Sequence, residues 1–255
     1  MTRLEVQVGP TSFPESELRN FIHEQGQGVP KDMDYSLLVP LHLRVAMAEC
    51  RIDLRDYPLP LFHMPPTNTR SQPDHLPAWQ LTSDLCIAEQ LGSEQAVRHV
   101  TAIVVPAARV GQTFIEYGIS IPKMAMPTKF FGSPVIDIYT SYPTRIVWGQ
   151  SLQPAIHDVI HVIEGITSPP HDPSPRIGFW DKLSLIFHGR VHFRLCGNGE
   201  LHLYLKGSRD PYHILEHGAG WVKCWRGNVE MKLNFDNEDG EVFQIISNEY
   251  LSRDS

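Results

Sequence analysis

The sequence predicts a mainly β protein with connector helices. Three observations carry that expectation. Strict apolar/polar alternation, the signature of a half-buried strand, recurs at Leu41 to Leu54, at Val191 to Lys206 and at Val229 to Asp236. Helical spacing of apolar residues is clear only at Ile156, Val159, Ile160 and Ile163. Proline and glycine clusters break the remainder into short segments.

Residues 1–35 mix Pro, Gly and charge without a sustained period and are expected to form a loop or poorly ordered end. From there to residue 148 the chain reads as a set of strands. Leu41, Leu43, Val45 and Met47 share one side against His42, Arg44 and Ala46. Ala48, Cys50, Ile52 and Leu54 then oppose Glu49, Arg51, Asp53 and Arg55, until Tyr57, Pro58 and Pro60 end the run. Further strands are expected at about 79–90, 97–105, 113–121 and 134–148. Residues 149–190 read as a connector: Ser151 can cap a helix ending at Gly165, a loop with four prolines in ten residues comes next, and a short helix spans Trp180 to His188. In residues 191–255, Val191, Phe193 and Leu195 alternate, as do Leu201, Leu203 and Leu205, with Gly197, Asn198 and Gly199 expected as a hairpin turn between them. Val229, Met231, Leu233 and Phe235 form a later apolar row, and a last strand runs from Glu241 to Ser247.

Composition excludes several classes. With 42% hydrophobic and 20% charged residues the chain is not of disordered type. A net charge of -7 and the lack of any Lys/Arg run argue against nucleic acid as a partner. Cys50, Cys86, Cys196 and Cys224 lie far apart with no CxxC pair, so they read as reduced thiols in a cytosolic setting. The first twenty residues hold acidic residues and prolines where a secretion signal needs an apolar run, and Pro106, Arg109 and Lys123 interrupt the greasiest region. The chain itself is therefore expected to be soluble or peripheral to a membrane.

Each apolar row needs a cover. Two sheets can cover one another as a sandwich, the connector helices can do so, or an open curved sheet can hold an apolar ligand; alternation alone does not separate these.

The segments IDLRDYPLPL (Ile52 to Leu61), WGQSLQP (Trp148 to Pro154) and GFWDK (Gly178 to Lys182) resemble the Hobbit/SABRE family. So do HGRVHFRL (His188 to Leu195) and LKGSRDPYHILEHGAGWVKCWRGNVEM (Leu205 to Met231), which look like the fungal members that carry the GFWDK motif. The likeness runs from about Leu38 to the end. It implies an internal fragment of a bridge-like lipid transfer protein: antiparallel curved sheet in repeating β-groove units, conducting phospholipid from the cytoplasmic face of the endoplasmic reticulum to the plasma membrane at contact sites. Leu41, Leu43, Val45, Ile52 and Leu54 would line one unit, and the rows at Val191 to Leu205 and Val229 to Phe235 the next. About ten strands at roughly 4.8 Å would give a groove about 50 Å long. Phospholipids, and membranes reached through the rest of the full-length chain, are the implied partners, with adaptor proteins unidentified.

No catalytic frame is apparent, and the chain is expected not to be an enzyme and to need no cofactor or metal. His157 and His161 stand one helical turn apart with Glu164 beyond, but the order is HDVIH and no third ligand is indicated. There is no GxSxG, GxGxxG or GxxxxGK[ST] sequence. Trp180 is expected to dock a helix whose first turn holds Asp181 and Lys182, and Trp221 and Trp225 to form a structural plug or a lip of the groove. A protein-interaction scaffold without a ligand, and a metal hydrolase at His157 and His161, are the competing readings.

Overall fold

In the computed structural model, residues 4–26, 34–54, 59–67, 77–90, 97–103, 118–124, 128–149, 152–167, 186–196, 198–207, 220–236 and 241–254 are described. The elements run in order: β1 (Leu4–Gly9), a 3-10 turn (Glu15–Glu17), α1 (Leu18–Gln25), β2 (Tyr35–Met47), β3 (Cys50–Ile52), β4 (Phe62–Met64), β5 (Trp79–Gln90), β6 (Val97–Ile103), β7 (Gly118–Met124), β8 (Thr128–Gly132), β9 (Val135–Ile138) and β10 (Thr144–Gly149). Then come α2 (Gln153–Thr167), β11 (Phe187–Gly189), β12 (Val191–Leu195), β13 (Leu201–Lys206), β14 (Gly220–Arg226), β15 (Glu230–Leu233), β16 (Phe243–Ile246) and β17 (Glu249–Asp254). The chain is mainly β with few helices, as the alternation predicts.

The strands divide between two principal sheets. A large sheet runs β1-β2-β5-β9-β12-β15-β16, with β8 and β11 attached beside β5; a smaller one runs β17-β14-β13-β10-β4-β3. Strands β6 and β7 form a separate antiparallel ladder. Pro40 is tolerated within β2 because it lies past Gly9, whose partner is His42, so β2 has no neighbour on that side there.

The chain repeatedly passes from one sheet to the other along a single seam. It crosses between β2 and β3, β4 and β5, β9 and β10, β12 and β13, β14 and β15, and β16 and β17. At the bends the backbone ladder continues: Ala78 N–H donates to Met47 C=O (2.9 Å), Tyr139 N–H to Ala78 C=O (2.7 Å) and Cys196 N–H to Ile138 C=O (2.7 Å). The crossing from β14 to β15 uses Gly227 (φ 69°) and Asn228 (φ 50°), two left-handed residues in succession, which explains a Gly-Asn pair at that point. Inside the seam the two sheets share one core: Met64 and Leu201 from the smaller, Ile138, Leu195, Val229 and Met231 from the large one.

Several expectations are corrected. Residues 197–199 do not close a hairpin, because β12 pairs with β9 and β15 whereas β13 pairs with β10 and β14. The segment 1–35 is not simply a loop: β1 joins the large sheet, and α1 packs Leu18 and Ile22 onto Cys86, Ala88 and Phe131. The sheets are mixed, not wholly antiparallel, with parallel pairs β9/β12, β8/β11 and β10/β13. The connector causes this. The chain crosses the seam in one direction at β9–β10, returns by way of α2 and the residues between it and β11, and crosses again in the same direction at β12–β13. Helix α2 runs to Thr167, past Gly165. The predicted helix at Trp180 to His188 lies mostly outside the described residues, as do the Pro-rich loop and GFWDK; at Phe187–Gly189 the chain is a strand.

Strand β11 approaches β8 closely at two facing glycines, Gly189 and Gly132. A Cβ on Gly189 would overlap the Gly132 carbonyl oxygen. Gly189→Ala is expected to separate the strands at a cost of about 2 kcal/mol, an overpacking penalty read as a lower urea midpoint.

Candidate functional site

Residues directly opposite in a ladder project to the same face, so register defines the faces. In the large sheet, Val6 faces Val45, Val45 faces Leu81, Leu81 faces Ile136, Ile136 faces Phe193, Phe193 faces Met231 and Met231 faces Ile245. One apolar row thus crosses all seven strands of the path. Parallel rows farther from the seam join Val8 to Leu43 and Val191 to Leu233 and Phe243. The same rule puts Ile52, Phe62, Ile146, Leu203 and Trp148 on one face of the smaller sheet, together with Leu201 and Trp225. Because members of both sets meet in the seam core, these are the inner faces of a trough whose floor is the seam.

Exposure rises away from the floor. Leu201 is 1% exposed and Met231 6%, whereas Val8 is 67% and Trp221 56%. Leu4, Val6, Leu37, Val39 and Phe243 on the large sheet, and Ile52, Trp148 and Tyr250 on the smaller one, are also exposed large apolar residues. An exposed apolar surface of this extent is unusual in an isolated soluble domain and marks a binding face.

The opposite faces differ. That of the large sheet carries cross-strand polar pairs: His42 with Asp84 (2.9 Å), Arg44 donating to Gln80 (2.9 Å), Arg194 gripping Asp137 through two bonds (2.6 and 2.7 Å) and His192 with Glu230 (3.0 Å). The outer face of the smaller sheet is covered in part by α2 and its approach, where Leu54, Val147 and Leu152 pack with Ala155 and Ile156. On both sheets the inner apolar residues become exposed toward the rim, and a few outer ones, Leu38, Ile246 and Leu251, are exposed as well.

The polar ladder predicts acid sensitivity. Burial of Asp84 acts to raise its pKa, but hydrogen bonds from the Ser12 hydroxyl and amide and from His42 outweigh it and leave the value lowered. Glu230 is lowered chiefly by its hydrogen bond with His192, against a smaller burial effect. A carboxyl with a lowered folded-state pKa contributes stability that is complete above its unfolded value, near 3.8 for Asp84 and 4.5 for Glu230, and lost as pH falls through the folded value. The urea midpoint is therefore expected to drop below about pH 4.5, and less steeply in Asp84→Asn.

The predicted lining residues fall into three groups. Leu41, Leu43, Val45, Val191 and Leu233 lie on the inner face of the large sheet, and Ile52, Leu203 and Leu205 on that of the smaller, none of them fully buried. Leu195, Leu201, Val229 and Met231 are closed into the floor, with Phe193 packed against them. Leu54 and Phe235 leave the trough. Past β3 the chain turns so that Leu61 N–H returns to Ile52 C=O (2.8 Å), which sends Leu54 under α2. Left-handed Asn234 (φ 61°) swings Phe235 edge-on to His192, on the polar side. Inner-face residues that the alternation reading missed include Val6, Val8, Val39 and Trp148, of which Val6 and Val8 are visible as the alternation in LEVQVG.

Elsewhere, His157 and His161 are exposed on α2 with ring centroids 6.4 Å apart, and no third ligand joins them among the described residues. Glu200, His202 and Cys224 do converge on the outer face of the smaller sheet. There Glu200 is engaged by His202 (2.7 Å) and by the Arg226 guanidinium (2.8 Å), whose positive charge opposes a cation at the same carboxylate. Burial pushes the Cys224 thiol up and raises that of Cys86 to about 11, so both stay protonated at neutral pH. All four cysteines are free. No described helix is long and apolar enough to cross a membrane.

Comparison with known proteins bears on the whole chain. The sequence profile of the Hobbit/FMP27/BTLP2 family matches residues 1–252. UPF0648 protein C3H5.09c of Schizosaccharomyces pombe is 38% identical over 238 residues, 93% of this chain and 9% of that protein. Protein FMP27, mitochondrial, of Saccharomyces cerevisiae is 35% identical over 86% of this chain and 8% of its own length, and Protein hobbit of Drosophila melanogaster 29% over 81% and 8%. The chain thus spans less than a tenth of the length of these relatives. No solved structure matches it.

Proposed function

Because the chain belongs to the Hobbit/FMP27/BTLP2 family, we propose that it is one segment of a bridge-like lipid transfer protein, whose trough holds and conducts the acyl chains of phospholipids. The observation that carries this reading is the apolar row continuous from β1 to β16, open toward the rim and backed by a charged outer face. Burial of acyl chain is worth about 0.8 kcal/mol per CH₂ without directionality, so the segment accepts several phospholipid classes and acts without making or breaking bonds. In the full-length protein this service is performed between membranes at contact sites, from the cytoplasmic face of the endoplasmic reticulum to the plasma membrane; the family resemblance supports that setting. Seven strands across the large sheet span about 30 Å at roughly 4.8 Å spacing, less than one bilayer, so the segment holds lipid and relies on the rest of the protein to bridge.

Native mass spectrometry of the purified 255-residue chain tests this. The expected result is folded protein carrying phospholipid of more than one class. Folded protein that neither carries lipid nor extracts it from phosphatidylcholine vesicles would sink the proposal and favour a protein-interaction scaffold.

A further inference from the structure

Register places one basic residue on the inner face of the two principal sheets among their described strands. Lys223 of β14 lies opposite Leu203 of β13 and Ser252 of β17, and two residues on either side along its own strand are Trp221 and Trp225. Trp225 packs against the floor and Trp221 is exposed at the rim, so Lys223 stands midway up the wall. Among the described residues no hydrogen bond, ion pair or ring contact engages it. The usual reasons for a lysine in a sheet are missing. It is not an edge guard, since β14 is paired on both sides, and the two residues directly opposite it, Leu203 and Ser252, are not acidic; on this face of β17 the acidic position is Asp254, across from Trp221. A half-buried ammonium without a hydrogen-bonded partner among the described residues, set between Trp221, Trp225 and Leu203, carries a cost that a ligand can offset.

We propose that Lys223 binds the phosphate group of a phospholipid whose acyl chains lie in the trough; this rests on the lipid-holding reading above. A lysine stem can run along apolar surface while its ammonium reaches toward water, here from the level of Leu203 to that of the Trp221 rim. That is the arrangement an amphipathic lipid presents: methylenes against Leu203, Leu205 and the tryptophans, phosphate at the boundary. The inner face of the large sheet offers no cation among its described residues, so head groups are held at the wall built by β14, and the conduit has a head-group side.

The test compares uptake of two fluorescent probes from phosphatidylcholine vesicles by the 255-residue chain. One probe is phosphatidic acid; the other is diacylglycerol, identical except for the phosphate. Lys223→Glu is expected to lower phosphatidic acid uptake about fivefold or more, the scale of a charge-assisted hydrogen bond at a partly exposed site. Diacylglycerol uptake should be unchanged in it, and Lys223→Arg should retain both. A circular dichroism spectrum matching wild type controls for folding, and Lys223→Gln serves if the glutamate variant fails it. Equal loss of both probes, or no loss of either, overturns the proposal while leaving the trough intact. If inorganic phosphate alone broadens its own phosphorus resonance through Lys223 and suppresses no lipid uptake, the site belongs to a soluble anion and the lipid assignment is wrong. Uptake of neither probe by wild type overturns the lipid-holding reading itself, and this one with it.

Discussion

Met231→Asp should leave the chain unfolded at room temperature. Met231 is 6% exposed and lies in the floor with Leu195, Leu201, Val229, Ile138 and Met64, drawn from both sheets. Truncating such a side chain alone costs about 2–5 kcal/mol. Adding a buried carboxylate without a partner contributes several kcal/mol more unless it protonates. Against a total stability of about 5–15 kcal/mol the sum removes the folded state. The expected readout is loss of the β-sheet circular dichroism signal and of any cooperative urea transition. A Met231→Asp protein with a wild-type transition would mean that the two sheets do not share this core. Lipid binding cannot be probed at the floor, because variants there report on folding first.

The second large effect separates binding from folding. Val6, Val8 and Val39 lie on the inner face but are exposed, so replacing all three by Asp should cost little stability, since exposed substitutions are usually within about 0.5 kcal/mol each. Lipid loading should fall at least tenfold, because three carboxylates would otherwise be desolvated against acyl chains. Gln7→Asp, one residue along on the opposite face of β1, is the control and should load normally. Loading retained in the triple variant would show that lipid lies elsewhere.

How much was legible in the sequence depends on how far each fact is local. Period-two alternation is local, and it located β2, β12, β13 and β15, in each of which apolar residues recur on one face. Strand β14 was missed because its even positions, Val222 and Cys224, are buried on the outer face while Trp221 and Trp225 occupy the inner one; a strand apolar on both sides does not alternate. Strand β17, EYLSRD, has no apolar row and is defined by its pairing with β14. What lies across from a row is not local at all. Leu201, Leu203 and Leu205 are indistinguishable by pattern, yet Leu201 is in the floor and the others rise from it, a difference set by where the chain crosses from β12 to β13. The choice between sandwich and open trough was likewise beyond alternation. Both hold in different places: the sheets cover each other at the seam and part toward the rim.

The central claim is that acyl chains occupy the inner face. Photolabelling of the 255-residue chain with a phosphatidylcholine bearing a diazirine near the acyl terminus, and then peptide mapping, tests it most directly. Adducts are expected on inner-face positions such as Val39, Leu43, Val191 and Leu203, and not on the outer-face partners Arg44, His192 and Tyr204. Labelling confined to the outer faces or to α2, or none at all in folded protein, would contradict it.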